Sequence, residues 1–208
     1  MKEYLISVLL IGMAAGVAPV FAAGDAAAGK ALYGTCAACH GAQAEGNKAM
    51  NAPRLTGQGD AYLVRQLNNF KKGMRGSDSR DMLGMQMAGM AKILADDAAV
   101  ANVTAYIESL PVVASPVTVN GDAGAGKGLY MACMACHGAD GKGVVAMNAP
   151  ALAGQADFYL ITQLKNFKAG LRGTHADDVF GKQMAPMAMM LADEAAMNNV
   201  VAYINTLK

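Results

Sequence analysis

One unit occurs twice in the 208-residue sequence, at an offset of 97 residues and with no insertion or deletion between the two copies. The shift carries Cys36 to Cys133 and Asn51 to Asn148. Further matched pairs are Tyr62 with Tyr159, Phe70 with Phe167, Arg75 with Arg172, and Tyr106 with Tyr203. Repetition at a fixed period is typical of tandem units that fold alike. The sequence therefore predicts two homologous domains.

The predicted domains cover residues 23–110 and 121–208, with a linker at 111–120. Pro111 and Pro116 disfavour helix in the linker and favour an extended path. Residues 1–22 combine Lys2, an apolar run and a small-residue site ending at Ala22, which is typical of a secretory signal peptide. We expect cleavage after Ala22 and export. The alternative is an uncleaved anchor, which the apolar run is almost long enough to form.

Each unit contains three predicted helices, and no stretch alternates convincingly with a period of two, so we expect an all-α fold. The first and last helices are predicted to begin near aspartates that can cap free backbone N–H groups, Asp25 and Asp96 with their copies Asp122 and Asp193. The middle helices are predicted to start at Asp60 and Asp157. Long glycine-rich loops are expected between them. A unit of about 90 residues built in this way buries too little apolar surface to be secure. We therefore expect a large apolar group at its centre.

Both units contain a C-x-x-C-H motif, as Cys36, Cys39 and His40 and as Cys133, Cys136 and His137. This motif is the attachment signature of c-type haem. Cysteines three residues apart on a helical turn lie on the same side, so both sulfurs can form thioethers with one porphyrin. The adjacent histidine is then placed under the iron as its proximal ligand. The two motifs predict two covalently bound haem c groups.

Three other readings of the motif compete with haem: a redox-active cysteine pair, a shared zinc site and structural disulfides. A thioredoxin-like pair belongs in a βαβ context, which the sequence lacks. A zinc site of four cysteines does not explain a histidine after each pair. Two copies in register after an export signal favour haem.

The sixth iron ligand has to be chosen among 16 methionines, most of them expected to be flexible core filler. Three pairs are methionine in both copies: Met50 and Met147, Met87 and Met184, and Met90 and Met187. The first pair follows its histidines by only 10 residues and is expected to consist of packing residues. The second stands 47 residues after the histidines, in a glycine- and proline-containing loop where a chain wrapping the haem would return. On this ground the second and third pairs both stay open.

Other residues near the motifs allow two interpretations each. Pro53 and Pro150 either direct a backbone carbonyl at the histidine N–H or only form a turn. Arg75 and Arg172 either pair with haem propionates or are exposed. His175, the one histidine outside the motifs, is expected in a surface loop.

Charge excludes one class of partner. Without Lys2 and Glu3 the chain has 16 basic against 15 acidic residues, so no basic excess is available for nucleic-acid phosphates.

Beyond the haem motifs, the sequence resembles the di-haem cytochrome c4 family of class I cytochromes c from Gly24 to Leu207. The resemblance is carried by Leu55-Thr56-Gly57-Gln58, by the Gln86-Met87 and Gln183-Met184 segments, and by the closing Ala105-Tyr106-Ile107 with its copy. It implies two class I cytochrome c domains packed about a pseudo-twofold axis, with their haem edges near each other. It also implies that the axial methionines are Met87 and Met184, each seven residues before a leucine that opens the last helix.

The resemblance further implies a periplasmic electron carrier, in some members membrane-associated, between quinol-oxidising complexes or soluble donors and terminal oxidases. With histidine and methionine on each iron no position stays open for a small-molecule substrate, so electron transfer is favoured over catalysis. The expected partners are redox proteins, including respiratory membrane complexes, with peripheral membrane association. The alternatives are a haem electron-acceptor subunit of a dehydrogenase, as in a flavocytochrome, and a less favoured di-haem peroxidase.

Overall fold

The computed structural model describes residues 24–207, so the predicted signal peptide lies outside the described part of the chain. Regular structure within these residues is helical, and the extended pairing found there is a single bridge between Asn47 and Ala52. The all-α prediction is confirmed. Among residues 24–207, no helix combines the length and the apolar character needed to cross a membrane.

The first half contains α1 (Ala26–His40), α2 (Asp60–Lys71), α3 (Met82–Ala91) and α4 (Asp97–Ser109), with a short 3-10 helix at Lys48–Met50. The second half contains α5 (Ala123–Tyr130), α6 (Met134–His137), α7 (Asp157–Lys168), α8 (Val179–Met189) and α9 (Glu194–Ile204), with a 3-10 helix at Val145–Met147. Residues 111–122 between the halves have no regular structure.

The predicted helix starts agree with the caps in the structure. The Asp25 carboxylate accepts hydrogen bonds from two backbone N–H groups of the first turn of α1, and Asp122 does the same for α5. Asp96 and Asp193 each accept one such hydrogen bond in the first turns of α4 and α9. These contacts satisfy N–H groups that lack a partner within the helix. Asp60 and Asp157 are the first residues of α2 and α7, as predicted, and are not their N-caps.

The segment before the last helix is where the prediction is wrong, because a helix stands there instead of a loop. Asp81 caps α3 by accepting from Gly84 N at 3.0 Å, and Asp178 caps α8 by accepting from Gly181 N at 3.0 Å. Methionine and alanine, which dominate α3, are good helix formers. Local glycines and Pro186 therefore do not prevent helix formation.

The first helix of the second half is also interrupted, whereas α1 runs unbroken into its motif. The Cys133 N–H bonds to the Tyr130 carbonyl at 2.8 Å, three residues back. That spacing is the tighter 3-10 pattern, and it divides the helix into α5 and α6.

Within each half the first helix crosses the last, α1 on α4 and α5 on α9. The crossing is so close that a Cβ on Gly29 would lie 1.9 Å from the Asn102 carbonyl oxygen, and a Cβ on Gly126 equally close to that of Asn199, again 1.9 Å. Glycine at these positions lets the two backbones touch.

Two apolar clusters form the cores, one in each half. The first is built around Tyr33, Leu63 and Val103, and the second around Tyr130, Leu160 and Val200. Each cluster packs against one wall of the cavity that the cysteine motifs line.

Candidate haem sites

A single, mostly apolar cavity extends through both halves of the molecule. The predicted attachment and ligand residues of both motifs line it: Cys36, Cys39, His40, Met87, Cys133, Cys136, His137 and Met184. In each half, the histidine and the methionine 47 positions later in the chain therefore line the same cavity. An apolar cavity of this kind fits the large apolar group that the sequence predicted at the centre of each unit.

His40 ends α1, and its Nδ1 lies 2.9 Å from the Pro53 carbonyl oxygen. His137 has the matching contact to Pro150, also at 2.9 Å. A carbonyl only accepts, so in each ring Nδ1 carries the proton and Nε2 keeps its lone pair. Of the two interpretations of the prolines, the carbonyl contact is confirmed.

Both histidines are in the form that binds iron. Burial lowers the pKa of His40 and of His137 below the ordinary value, and the proline carbonyl opposes this only in part. Each imidazole is therefore neutral at pH 7. A neutral ring whose other nitrogen is fixed by a carbonyl is the usual geometry of a metal-ligating histidine.

The four cysteines are partly buried and are not joined as disulfides. Burial raises the pKa of Cys36 and of Cys133, so both are neutral thiols in the polypeptide. Thioether formation with a porphyrin removes the ionisable proton altogether, so a buried, uncharged thiol suits an attachment position. The buried thiol pairs beside the neutral histidines fit covalently attached haem.

The methionines reach the cavity from α3 and α8. Met87 and Met90 are three residues apart on α3 and share a helix face, so both line the cavity, as do Met184 and Met187 on α8. Met87 also packs against the small cluster of Phe70, Ala88 and Ala91.

Met50 and Met147 were expected to be packing residues, but neither is buried in a core. They line the cavity but are 44% and 47% exposed. The short 3-10 helices that end at these residues hold them at the cavity's outer edge.

Arg75 and Arg172 are buried, so the exposed interpretation is wrong. Each guanidinium stacks on an aromatic ring of its own half, 4.2 Å from the Phe70 centroid and 4.6 Å from the Phe167 centroid. Both arginines line the cavity. Two buried positive charges on an apolar wall fit a cofactor that carries carboxylates. His175, by contrast, lies in an exposed turn, as predicted.

Polar side chains that the sequence analysis did not identify join the two halves. Arg54 Nη2 donates to the Ala153 carbonyl at 3.0 Å, and Arg65 Nη2 donates to the Asn148 carbonyl at 2.6 Å. These arginines correspond to Ala151 and Thr162 in the repeat, so the internal comparison offers no matched pair that could have identified them.

Gln66 and Gln163, and Gln58 and Gln155, also contact the opposite half. These glutamines are matched pairs under the 97-residue shift, and that match is the sequence feature that could have revealed them.

Fold and sites together define a tandem-domain, all-α protein that attaches one c-type haem in each domain. The sequence model of the cytochrome c family matches residues 26–111 and 123–208. The chain is 35% identical to the cytochrome c4 of Pseudomonas aeruginosa over an alignment 213 residues long, which covers 97% of this chain and 98% of that protein. The chain belongs to the cytochrome c4 family.

Two further similarities agree with this assignment. The crystal structure of reduced recombinant cytochrome c4 from Pseudomonas stutzeri superposes with a TM-score of 0.69 at 28% identity, covering 89% of this chain and 100% of that one. A thiosulfate dehydrogenase electron acceptor from Stutzerimonas stutzeri is 34% identical over 157 residues, covering 70% of this chain and 68% of that protein. The chain is thus a di-haem electron-transfer cytochrome with two covalently bound haem c groups, and its partners are redox proteins.

Proposed function

We propose that this chain carries electrons in the periplasm from a quinol-oxidising complex or a soluble donor to a terminal oxidase. The observation that carries the proposal is the matched pair of sites at one cavity. Each half brings to that cavity a neutral histidine, hydrogen-bonded to a proline carbonyl, and a methionine from α3 or from its counterpart α8. Each haem iron, when bound, supplies reversible one-electron oxidation and reduction.

The proposed iron ligands are His40 with Met87 in the first domain and His137 with Met184 in the second. The proposed attachment residues are the cysteines of the two motifs, Cys36 and Cys39 and then Cys133 and Cys136. Histidine and methionine together leave no iron position open for a substrate. Electron transfer, and not turnover of a small molecule, is the function that this ligand set supports.

The protein supports this function by keeping water away from each site and by fixing the histidines. The cavity wall is mainly apolar, which disfavours the extra charge of the oxidised iron and favours a positive reduction potential. The proline carbonyls hold both imidazole rings in one orientation. Oxidation and reduction then require little rearrangement of the protein.

Partner proteins are proposed to dock at the outer edges of the cavity. Met50 and Met147 line the cavity and are also nearly half exposed, so each offers a partner an apolar contact close to the cofactor. Small interfaces of this kind are usual for brief encounters between redox proteins. Two such edges allow donor and acceptor to bind at different domains.

The proposal is tested with the mature protein purified from the periplasm. Its mass should correspond to a polypeptide starting at residue 23 with two haems attached. The reduced protein should then be oxidised by membranes that contain an active terminal oxidase, and the oxidised protein should be reduced by membranes supplied with quinol. A mass without haem, or a redox state that neither membrane preparation changes, would contradict the proposal.

A second candidate function is that of electron acceptor for a soluble dehydrogenase. It is favoured by the 34% identity to the thiosulfate dehydrogenase electron acceptor of Stutzerimonas stutzeri. The two candidates differ in the physiological donor. Copurification with a dehydrogenase, together with faster reduction by that enzyme than by a quinol-oxidising complex, would favour the second.

A further inference from the structure

Gln155, in the second half, holds the peptide group that orients His40 in the first half. Its Oε1 accepts a hydrogen bond from Arg54 N at 3.0 Å, and its Nε2 donates to the Arg54 carbonyl at 2.9 Å. The Arg54 N–H belongs to the same planar peptide group as the Pro53 carbonyl. That carbonyl accepts the hydrogen bond from His40 Nδ1 at 2.9 Å.

The matched residue on the other side makes a different contact. Gln58 Nε2 donates to the Ala151 carbonyl at 2.9 Å, but its buried Oε1 has no hydrogen-bond partner within residues 24–207. The peptide group between Pro150 and Ala151 therefore receives no contact at its N–H from Gln58. The two halves differ at this point although their sequences match.

The contact from Gln155 strengthens the hydrogen bond of His40 but has no counterpart at His137. An acceptor at the N–H of a peptide group polarises that group, which makes its carbonyl a stronger acceptor. The effect is largest where water is excluded, and Gln155 is only 5% exposed. A stronger hydrogen bond to Nδ1 raises the basicity of a metal-ligating imidazole. A more basic ligand stabilises the oxidised iron and lowers its reduction potential.

We propose that Gln155 is a positioning residue for the haem site of the opposite domain: through the Pro53 carbonyl it strengthens the hydrogen bond of His40 and lowers the first haem's reduction potential. The inference rests on the proposed function in taking His40 as an iron ligand. Gln58 does not act in this way on His137. The second domain therefore affects the reduction potential of the first haem, and the first domain has no matching effect on the second haem.

The test uses the holoprotein with two single substitutions, Gln155→Leu and the matched control Gln58→Leu. Each removes a buried amide that contacts the opposite half; the Gln155 amide makes three hydrogen bonds in all and the Gln58 amide makes one. Gln155→Leu should raise the midpoint potential of the first haem, by up to about a tenfold change in the one-electron equilibrium constant, roughly 59 mV. Gln58→Leu should leave the potential of the second haem close to its original value.

Proton and nitrogen NMR of the reduced, histidine-labelled protein supplies a readout at the hydrogen bond itself. In Gln155→Leu the Nδ1–H resonance of His40 should move upfield, as a weakened hydrogen bond requires. The Nδ1–H resonance of His137 should stay in place and serves as a reference within the same molecule. Gln155→Glu keeps an acceptor oxygen and should leave the His40 resonance unmoved or shift it downfield.

Three results would overturn the inference. One is an unmoved His40 resonance in Gln155→Leu, and another is an equal change of both potentials in both Leu variants. If Gln155→Leu does not fold, an upfield shift of His40 in Gln155→Glu counts against the inference in the same way. A His40 Nδ1–H resonance without the haem-induced shift in the unmodified protein would refute the ligand assignment as well, which separates failure of the proposed function from failure of this inference.

Discussion

Arg75 Nη2 donates a hydrogen bond across the domain interface to Gln163 Oε1 at 3.1 Å. The opposite pair repeats the contact, because Arg172 Nη2 donates to Gln66 Oε1, also at 3.1 Å. Each glutamine oxygen also accepts from the arginine of its own half, at 2.6 Å from Arg75 and 2.8 Å from Arg172. The four side chains form a closed ring of hydrogen bonds between the two halves.

Replacing Arg75 by leucine should destabilise the protein by about 2 kcal/mol. The substitution removes two charge-assisted hydrogen bonds from a buried position, and such bonds contribute about 1.5–3 kcal/mol each to stability when made to charged groups. The residual contacts of Arg172 to both glutamines reduce the loss. Guanidinium chloride unfolding followed by helical circular dichroism measures the change.

Arg80→Leu is the matched control for that prediction. Arg80 is an exposed arginine paired with Asp78 at 2.7 Å, and exposed ion pairs contribute little. The unfolding midpoint of Arg80→Leu should equal that of the unmodified protein. Equal midpoints for Arg75→Leu and Arg80→Leu would show that the ring does not stabilise the interface.

Gly29→Ala should destabilise the first domain by about 2 kcal/mol or more, because the new Cβ would overlap the Asn102 carbonyl oxygen and force α1 and α4 apart. Gly34→Ala, on the same helix, is the control, since a Cβ there meets no atom within 4 Å. Alanine has a better helix propensity than glycine, so Gly34→Ala should stabilise by up to about 1 kcal/mol. Thermal unfolding should show opposite signs for the two changes, and the same sign in both would contradict the crossing geometry.

The sequence predicted the features that depend on short-range patterns. The haem motifs and the caps at Asp25 and Asp96 each lie within a few residues of the groups that they serve, so their chemistry is visible in the printed sequence. The helix α3 was missed because Gly84 and Gly89 have poor helix propensity, while the Asp81 cap and the packing of Ala88 and Ala91 outweigh it.

The interface contacts of Arg54 and Arg65 could not be predicted, because their partners are far apart in the chain and neither arginine is repeated. Arg54 contacts Ala153, and Arg65 contacts Asn148, 99 and 83 residues away respectively. The internal repeat reports what the two domains share. It carries no information about contacts that only one of them makes.

Met87→Ala and Met184→Ala should each abolish half of the ferric methionine-to-iron charge-transfer absorbance. The two domains hold equivalent ligand sets, so each change removes one of two equal contributions. Met90→Ala and Met187→Ala are the matched controls, because these residues line the same cavity from the same helices. The controls should keep full absorbance. Loss of absorbance in the controls, with full absorbance in the first pair, would transfer the ligand role to Met90 and Met187.

Asp157, at the first turn of α7, ties residues of the segment between the domains to the second domain. Its carboxylate is fully buried and accepts hydrogen bonds from Thr118 N, from Thr118 Oγ1 at 2.7 Å and from Val119 N at 2.7 Å. Burial alone would raise the pKa of Asp157, but these contacts outweigh it, so the pKa is lower than the ordinary value. Asp60, the matched residue, is exposed.

Asp157→Asn should therefore destabilise the protein by about 2 kcal/mol at pH 7, because an amide replaces a charged acceptor of several N–H and O–H donors. Since the folded-state pKa is depressed, the carboxylate's contribution is fully present above the unfolded pKa of about 3.9 and is lost as the pH falls through the folded value. Denaturant midpoints of the two proteins should differ by a constant amount from pH 7 to pH 5 and converge at lower pH. Asp60→Asn should show only a small difference throughout. A gap for Asp157→Asn that stays constant to pH 2 would mean that the ionised carboxylate is not what fixes this segment.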